Sequence, residues 1–298
     1  MISVIIPAFN EELAIVGTVD ACIRTLAQLG GEYEIIVVDD GSSDNTADVA
    51  VAAGVRVIRH PHNLGYGRSL KDGILAAIHD TIVIADADGT YPVERIPDLF
   101  RAHRAGFHMV VGARQGRHYD ESFSKKMLRI VLKTLVEFTA GRKIPDINSG
   151  LRIFSRQDIM PYFQYLCETF SFTTSLTLAY MMNGMFVTYI PIDYQQRVGT
   201  TKVRMLRDSL RTLQFIVEAI LYYNPIKIFL VICAGMLGLA LLCFADAVAF
   251  GHDGAFWLGL GCVVLAVLMF GIGLVSIQLK QLLHLQDTER TARNRAPK

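Results

Sequence analysis

"TIVIADADGTYP", Thr81 to Pro92, runs from an apolar, β-branched segment into two aspartates one residue apart, then into Gly89 and Pro92. The apolar part predicts a buried strand, and Gly89 and Pro92 close it. The strand is expected to carry through the aspartates, so Asp86 and Asp88 share one face and Ala87 points to the other. Two carboxylates so close repel each other unless water solvates them or a cation sits between them. A solvated loop with a helix cap would explain the pair as well as a metal site does, so the flanking sequence has to decide.

Upstream, short β-rich runs alternate with helical patterns. "SVIIPAF" reads as a buried strand, and Glu11 to Leu29 as a helix. "EYEIIVVDD" is a second strand, and "SSDNTADVAVAAG" a capped helix ending at Gly54. "VRVIRH", "GRSLKDGILAAIHD" and "TIVIAD" continue as strand, helix and strand, and "HMVVGARQ" adds a fifth strand ending at Arg114. Strands alternating with helices predict an α/β fold with a mostly parallel sheet covered on both faces. Such sheets bind ligands beyond the carboxyl ends of their strands. Polar residues collect at those exits: Asn10 and Glu11, Asp39 and Asp40, Asn63, then Asp86 and Asp88. Four such exits argue for one site better than any one of them does.

Downstream the pattern changes. "SKKMLRIVLKTLVEFTAGRK" is amphipathic, with Leu128, Val131, Leu135 and Phe138 on one side and Lys126, Arg129 and Lys133 on another. "VRMLRDSLRTLQFIVEAILYYNP" repeats the arrangement with Arg204, Arg207 and Arg211. Both read as interfacial helices lying on an anionic leaflet. Ile226–Phe250 and Ala255–Leu279 are each apolar over more than the roughly 20 residues a bilayer crossing needs. Only "GHDG" separates them, so they form a hairpin, with Asp246 near its tip. Lys227 precedes the pair, and Lys280, Arg290, Arg293, Arg295 and Lys298 follow it. The positive-inside rule then puts both termini in the cytoplasm. The expected organisation is a catalytic domain over 1–202, including an interfacial helix at about 122–142, then a juxtamembrane amphipathic helix over 203–225. Spans at 226–250 and 255–279 and a basic cytoplasmic tail over 280–298 complete it.

The 298 residues carry a net charge of +1, which gives no basic pull toward nucleic acid. Met1 leads directly into "ISVIIPAFN", so no cleaved signal peptide is expected. The five cysteines (Cys22, Cys167, Cys233, Cys243 and Cys262) show no ligand spacing and read as reduced packing residues. "NLGYGRSLKDG" fails the dinucleotide pattern, because Gly65, Gly67 and Gly73 do not give G-x-G-x-x-G; a tight strand-to-helix turn is the simpler reading. Small residues at Gly235, Gly238, Gly259 and Gly261 would suit packing of several hairpins into a homo-oligomer.

"VIIPAFNEE", "IIVVDDGSSDNTA", "NLGYGRSLKDGI" and "IADADGTYP" occur in an order and at a spacing that resemble the family 2 glycosyltransferases of GT-A fold. "DINSGLRIFSR", "QQRVGTTKV" and the closing hairpin make the chain similar to the polyprenyl-phosphate branch, which includes dolichyl-phosphate mannose synthases and bactoprenol glucosyltransferases. The resemblance covers all but the tail. It implies that Pro7, Phe9 and Glu11 form the first nucleotide-contacting loop, and that Asp39 binds base or ribose. It implies that Asp86, Ala87 and Asp88 form the metal and diphosphate motif, with Mg²⁺ or Mn²⁺ held by the two aspartates; one subgroup has an amide where Thr90 stands. It also implies that Arg114 contributes a basic group at the fifth strand's exit, and that Arg197 and Lys202 close over the diphosphate from a flexible loop. Asp146 matches the place of a catalytic base in many relatives. A lipid phosphate is already ionised near neutral pH and needs no strong base, so Asp146 orients either a sugar hydroxyl or a basic partner.

The expected reaction moves a sugar from a UDP- or GDP-sugar to undecaprenyl or dolichyl phosphate, with inversion at the anomeric carbon. Asp88, Asp146, Arg197 and Lys202 are its catalytic candidates, and Lys126, Arg129 or Lys133 would hold the acceptor phosphate at the bilayer surface. Positioning and electrostatics would supply most of the acceleration. Two rivals remain open at this level. A processive polysaccharide synthase is faintly echoed in "QQRV", where Val198 replaces the expected tryptophan; a non-catalytic nucleotide-binding scaffold has no need of Asp86, Asp88, Arg197 and Lys202 together.

Overall fold

Strand β1 (Ile2–Ala8) is buried along its whole length, as a strand covered on both faces must be. It pairs in parallel with β2 (Tyr33–Asp39) on one side and β4 (Thr81–Ile84) on the other. The computed structural model describes residues 1–116, 123–196 and 225–295, and between the last two segments only 213–214, 217–218 and 221. Its sheet has the order β3-β2-β1-β4-β6-β5-β7, with β3 at Arg56–Arg59, β5 at Met109–Gln115, β6 at Arg152–Ser155 and β7 at Val187–Asp193. All pairings are parallel except those of β6, which runs against both β4 and β5. The loop entering β6 therefore emerges at the same edge as the exits of β1, β2 and β4.

Helices α1 (Ile15–Leu29), α2 (Thr46–Ala52), α3 (Tyr66–Ala76), α4 (Ile96–Arg104), α5 (Phe123–Ala140), α6 (Arg156–Ile159) and α7 (Phe172–Met182) complete the layers. One core packs Ile15, Val19, Cys22 and Leu26 of α1 and Leu99 of α4 against Val4, Ile6, Val37 and Val83. The other packs Leu70 and Ile74 of α3 and Phe172 and Leu176 of α7 against Ile5, Ile36, Ile82 and Val111. The first helix starts four residues later than its sequence pattern predicts, because Glu11 turns the chain and its carbonyl accepts from the Ala14 and Ile15 amides. β6 and β7 are additions to the five strands read from sequence.

The chain divides into two units, Met1–Ile216 and Val217–Lys298. The second holds helices α8 (Ile226–Phe250) and α9 (Asp253–Arg295). Ile226–Phe250 and Asp253–Leu279 are long and apolar enough to cross a membrane, and only 17% of each apolar window is buried, unlike the core helix of a soluble protein. Gly251, at φ 72°, ends α8, and His252 Nδ1 lies 2.9 Å from Asp246 Oδ2, so the acid pairs at the hairpin turn. A Cβ on Gly259 would lie 2.8 Å from the Phe244 ring, and one on Gly273 would lie 2.9 Å from Phe229. Gly259 thus serves packing within the hairpin. The tail expected as a charged extension from residue 280 is a continuation of α9 to Arg295.

Candidate active site

The exits of β1 and β2 are sewn together. Asn10, at φ 54°, is the one non-glycine residue in the left-handed region among the described residues. Its amide N–H donates to Ser42 Oγ (2.8 Å), and its side-chain oxygen accepts from the Ser43 N–H (2.7 Å). The Glu11 N–H donates to Thr46 Oγ1 at 2.8 Å. These bonds hold "FNEE" against "DGSSDNT", and the register sets Pro7 beside Val38 and Ala8 beside Asp39. Asp39 is buried, and among the described residues its Oδ1 has no hydrogen-bond partner. A buried carboxylate oxygen without a donor is costly and fits a ligand hydroxyl or N–H at this edge.

Asp40 turns away from that edge. It accepts the Leu64 and Gly65 amides at 2.9 and 2.8 Å, and His60 Nδ1 lies 2.8 Å from its Oδ1. The other ring nitrogen is 3.0 Å from Asp72 Oδ2 but outside hydrogen-bonding geometry. The glycines that follow serve close approach. A Cβ on Gly67 would collide with the Cys167 carbonyl and lie 2.6 Å from the Glu168 carbonyl carbon. A Cβ on Gly73 would lie 2.5 Å from Ile5 Cγ2. Between the first two glycines, Tyr66 donates its hydroxyl to Asp86 Oδ1 at 2.8 Å. Burial first, and then the Asp86 charge, push the Tyr66 pKa up, so it remains a donor.

β4 ends at Ile84, so Asp86 and Asp88 lie in a turn beyond it. The expected strand alternation does not apply to them; Gly89, at φ 71°, lets the backbone fold there instead. Asp88 is buried, and its Oδ1 accepts from Thr90 Oγ1 at 2.6 Å and the Thr90 amide at 3.1 Å. Thr90 therefore orients the second acid. Asp86 is half-buried, and Gly150 backs it: a Cβ on Gly150 would sit 2.6 Å from both carboxylate oxygens. The missing Cβ leaves a cradle around Asp86. Among the described residues no three His, Cys, Asp or Glu side chains group as metal ligands. Two carboxylate donors fit Mg²⁺ or Mn²⁺, which take one or two carboxylates and complete their shell with substrate phosphate and water.

The "DINSG" turn closes this edge. Asp146 is buried and accepts from Arg114 Nε at 2.7 Å, Nη2 at 2.9 Å and the Arg114 amide at 3.2 Å. Burial alone would raise the Asp146 pKa, but the bonds and charge of Arg114 outweigh it, so the carboxyl is held below its ordinary value. Asp146 thus meets a basic partner, Arg114, whose guanidinium also lies over the Tyr194 ring. Gly150 N–H donates to the Tyr91 hydroxyl at 2.7 Å. Beneath the turn, Arg152 is fully buried on β6 and donates to the carbonyls of Ser149 (2.7 Å), Ile147 (3.1 Å) and Thr173 (2.8 Å), and to Thr177 Oγ1 (2.8 Å). Sequence reasoning finds the glycines and acids but misses Tyr66, Tyr91, Gly150 and Arg152. An arginine inside the apolar run "LRIF" is the one available signal.

Lys133 Nζ lies 3.4 Å from the Pro145 carbonyl and 3.9 Å from Glu137, just before the same turn. Lys126 and Arg129 lie on α5, but their side chains fall outside the described residues. Arg197 and Lys202 fall outside them as well. The structure therefore gathers Pro7, Phe9, Glu11, Asp39, Asp86, Ala87, Asp88, Arg114 and Asp146 at one edge of the sheet.

An acidic edge of this kind, on an open and mostly parallel sheet, defines a ligand-binding α/β domain. Residues 3–163 match the family model described as glycosyl transferase family 2, and the chain belongs to that family. It is 29% identical over 204 residues to the dolichyl-phosphate hexose transferase of Haloferax volcanii, covering 68% of this chain and 86% of that protein. It is 32% identical over 161 residues to the undecaprenyl-phosphate 4-deoxy-4-formamido-L-arabinose transferase of Photorhabdus laumondii, covering 52% of this chain but only 49% of that protein. The fold is shared with glucosyl-3-phosphoglycerate synthase from Mycobacterium tuberculosis, solved with Mn²⁺, uridine diphosphate and phosphoglyceric acid. The TM-score is 0.59 at 21% identity, over 74% of this chain and 78% of that one. The same enzyme with Mg²⁺ and uridine diphosphate matches with a TM-score of 0.58 at 20% identity, over 74% and 79% of the two chains.

Proposed function

We propose that this glycosyltransferase moves a sugar from a nucleoside-diphosphate sugar to a polyprenyl phosphate, with inversion and with a divalent cation. The observation that carries this is the Asp86–Asp88 pair, with Gly150 behind Asp86, set across β1 from Asp39, whose Oδ1 has no hydrogen-bond partner among the described residues. That spacing suits a donor whose nucleoside lies at the β1–β2 exits and whose diphosphate lies at the β4 exit. The acceptor class is supported by the two relatives, one named for dolichyl phosphate and one for undecaprenyl phosphate. The two bilayer-length helices suit a protein whose substrate is a lipid.

Asp86 and Asp88 would hold Mg²⁺ or Mn²⁺, which would neutralise the charge that builds on the departing diphosphate. Tyr66 and Thr90 fix the two carboxylates, each by a hydroxyl donated to one oxygen. Asp39 would take a base or ribose donor through its unpartnered oxygen. Asp146, held ionised by Arg114, is a positioning residue here: its two oxygens are engaged, and it anchors the turn that backs Asp86. The attacking group is then the ionised lipid phosphate itself, which needs no general base. Arg197 and Lys202 would screen the diphosphate, and Lys133, with Lys126 and Arg129, the acceptor. Membrane residence with both ends of the chain cytoplasmic, and self-association, belong to the same proposal.

The test is transfer of labelled sugar from a panel of UDP- and GDP-sugars to undecaprenyl and dolichyl phosphate in detergent. One labelled lipid product is expected from one donor. Release of free sugar without a lipid product would overturn the acceptor assignment.

A further inference from the structure

Asn148 sits at the centre of the "DINSG" turn and is held from every side. The carbonyls flanking it, Ile147 and Ser149, both accept from the buried Arg152 guanidinium. Its backbone N–H donates to Asp146 Oδ1 at 3.1 Å. Its side-chain oxygen accepts from Thr174 Oγ1, on the first turn of α7, at 2.6 Å. Among the described residues, neither N–H of that amide has a hydrogen-bond partner. An amide tied down through its oxygen, half-buried, with two donors to spare, is built to read a ligand acceptor.

The topology says which ligand group reaches it. On the donor reading above, the nucleoside lies at the exits of β2 and β1 and the diphosphate at the exit of β4. The next element in the sheet is β6, entered through the "DINSG" turn, with Arg152 opposite Ile84. The moiety beyond the diphosphate is the sugar. Its hydroxyls are neutral acceptors, which suit a neutral amide in the turn that holds the Asp146 carboxylate and backs Asp86 through Gly150 better than a phosphate would. We infer that Asn148, oriented by Thr174, hydrogen-bonds a hydroxyl of the donor sugar and sets which sugar is accepted. This rests on the proposed donor site. It adds a specificity residue, with Thr174 as its positioning residue.

A site built to donate to a hydroxyl discriminates against the analogue lacking it, because its own polar group is then left unpaired. The experiment uses the full chain in detergent and the donor found above, together with its 2-, 3-, 4- and 6-deoxy analogues. Donor kcat/KM and calorimetric binding without lipid are both measured for wild type, Asn148→Ala and Thr174→Val. Asn148→Ala is expected to lower kcat/KM for the full sugar by roughly 10- to 100-fold while changing one deoxy analogue by less than about threefold. Thr174→Val should move the same ratio in the same direction by a smaller factor. An equal loss across all analogues would mean the residue only holds the turn, and would overturn the inference. If wild type binds donors but glycosylates no lipid, the acceptor reading fails; the binding ratios then still decide, a ratio lost in Asn148→Ala supporting the inference and an unchanged ratio overturning it.

Discussion

At the scale of single residues, the site depends on side chains that hold other side chains. Gly150 is the sharpest case, since any Cβ there meets both oxygens of Asp86. Gly150→Ala should shift that carboxylate and lower transfer at least roughly tenfold, while far less stability is lost than in a core overpacking mutant; thermal melts beside rate measurements check this. The Asp146–Arg114 pair makes a second prediction. The folded pKa of Asp146 lies below its ordinary value. The pair therefore adds stability above the ordinary carboxylate range and loses it as pH falls through the folded value. Asp146→Asn should cost about 3 kcal/mol near neutrality, because it leaves the Arg114 charge poorly compensated. In denaturant titrations from pH 7 to pH 3, the gap to wild type should narrow below about pH 4. At this scale the acids are legible in the sequence, because two aspartates at a strand exit are chemically conspicuous. Arg152 is less so: the sequence sets an arginine in an apolar run but does not show that carbonyls of the preceding turn and of α7 surround it.

At the scale of elements, the close approach of α3 to the 166–170 loop fixes where Tyr66 stands. The backbone atoms of Cys167, Glu168 and Thr169 crowd the position a Gly67 side chain would take, and backbone cannot move aside as a flexible side chain can. Gly67→Ala should therefore destabilise the first unit by roughly 1–3 kcal/mol and slow transfer through Tyr66, measurable as a lowered Tm and kcat. The alternating strands and helices of the first hundred residues are readable from periodicity alone. β6 and β7 are not. β6 is four residues long with a charged residue in it, and β7 carries Pro191, so neither shows the apolar run expected of a sheet interior. The aspartate pair reads as strand in the sequence because the apolar run points into it; the backbone turns after Ile84 instead.

At the scale of the whole molecule, composition alone separates the two units, since apolar residues collect over 226–279 with few charges. The second unit exposes Leu241, Leu242, Val248 and Val267 at 66–89% of their surface, which water does not tolerate over so many neighbours. The full chain should pellet with membranes and resist carbonate extraction; release into the carbonate wash would contradict a spanning hairpin. Donor identity is not legible at any scale from sequence, because it turns on which side chains the folded turn presents.

The central claim is that Asp86 and Asp88 form the metal and diphosphate site of a transferase acting on a lipid phosphate. The most direct measurement compares labelled-sugar transfer to polyprenyl phosphate by wild type with Mn²⁺ or Mg²⁺, by wild type in EDTA, and by Asp88→Asn with metal. The account predicts one lipid-linked sugar with metal, at least roughly a hundredfold less in EDTA and in the variant, and recovery when metal is returned to wild type. Undiminished transfer in EDTA and in Asp88→Asn would contradict it.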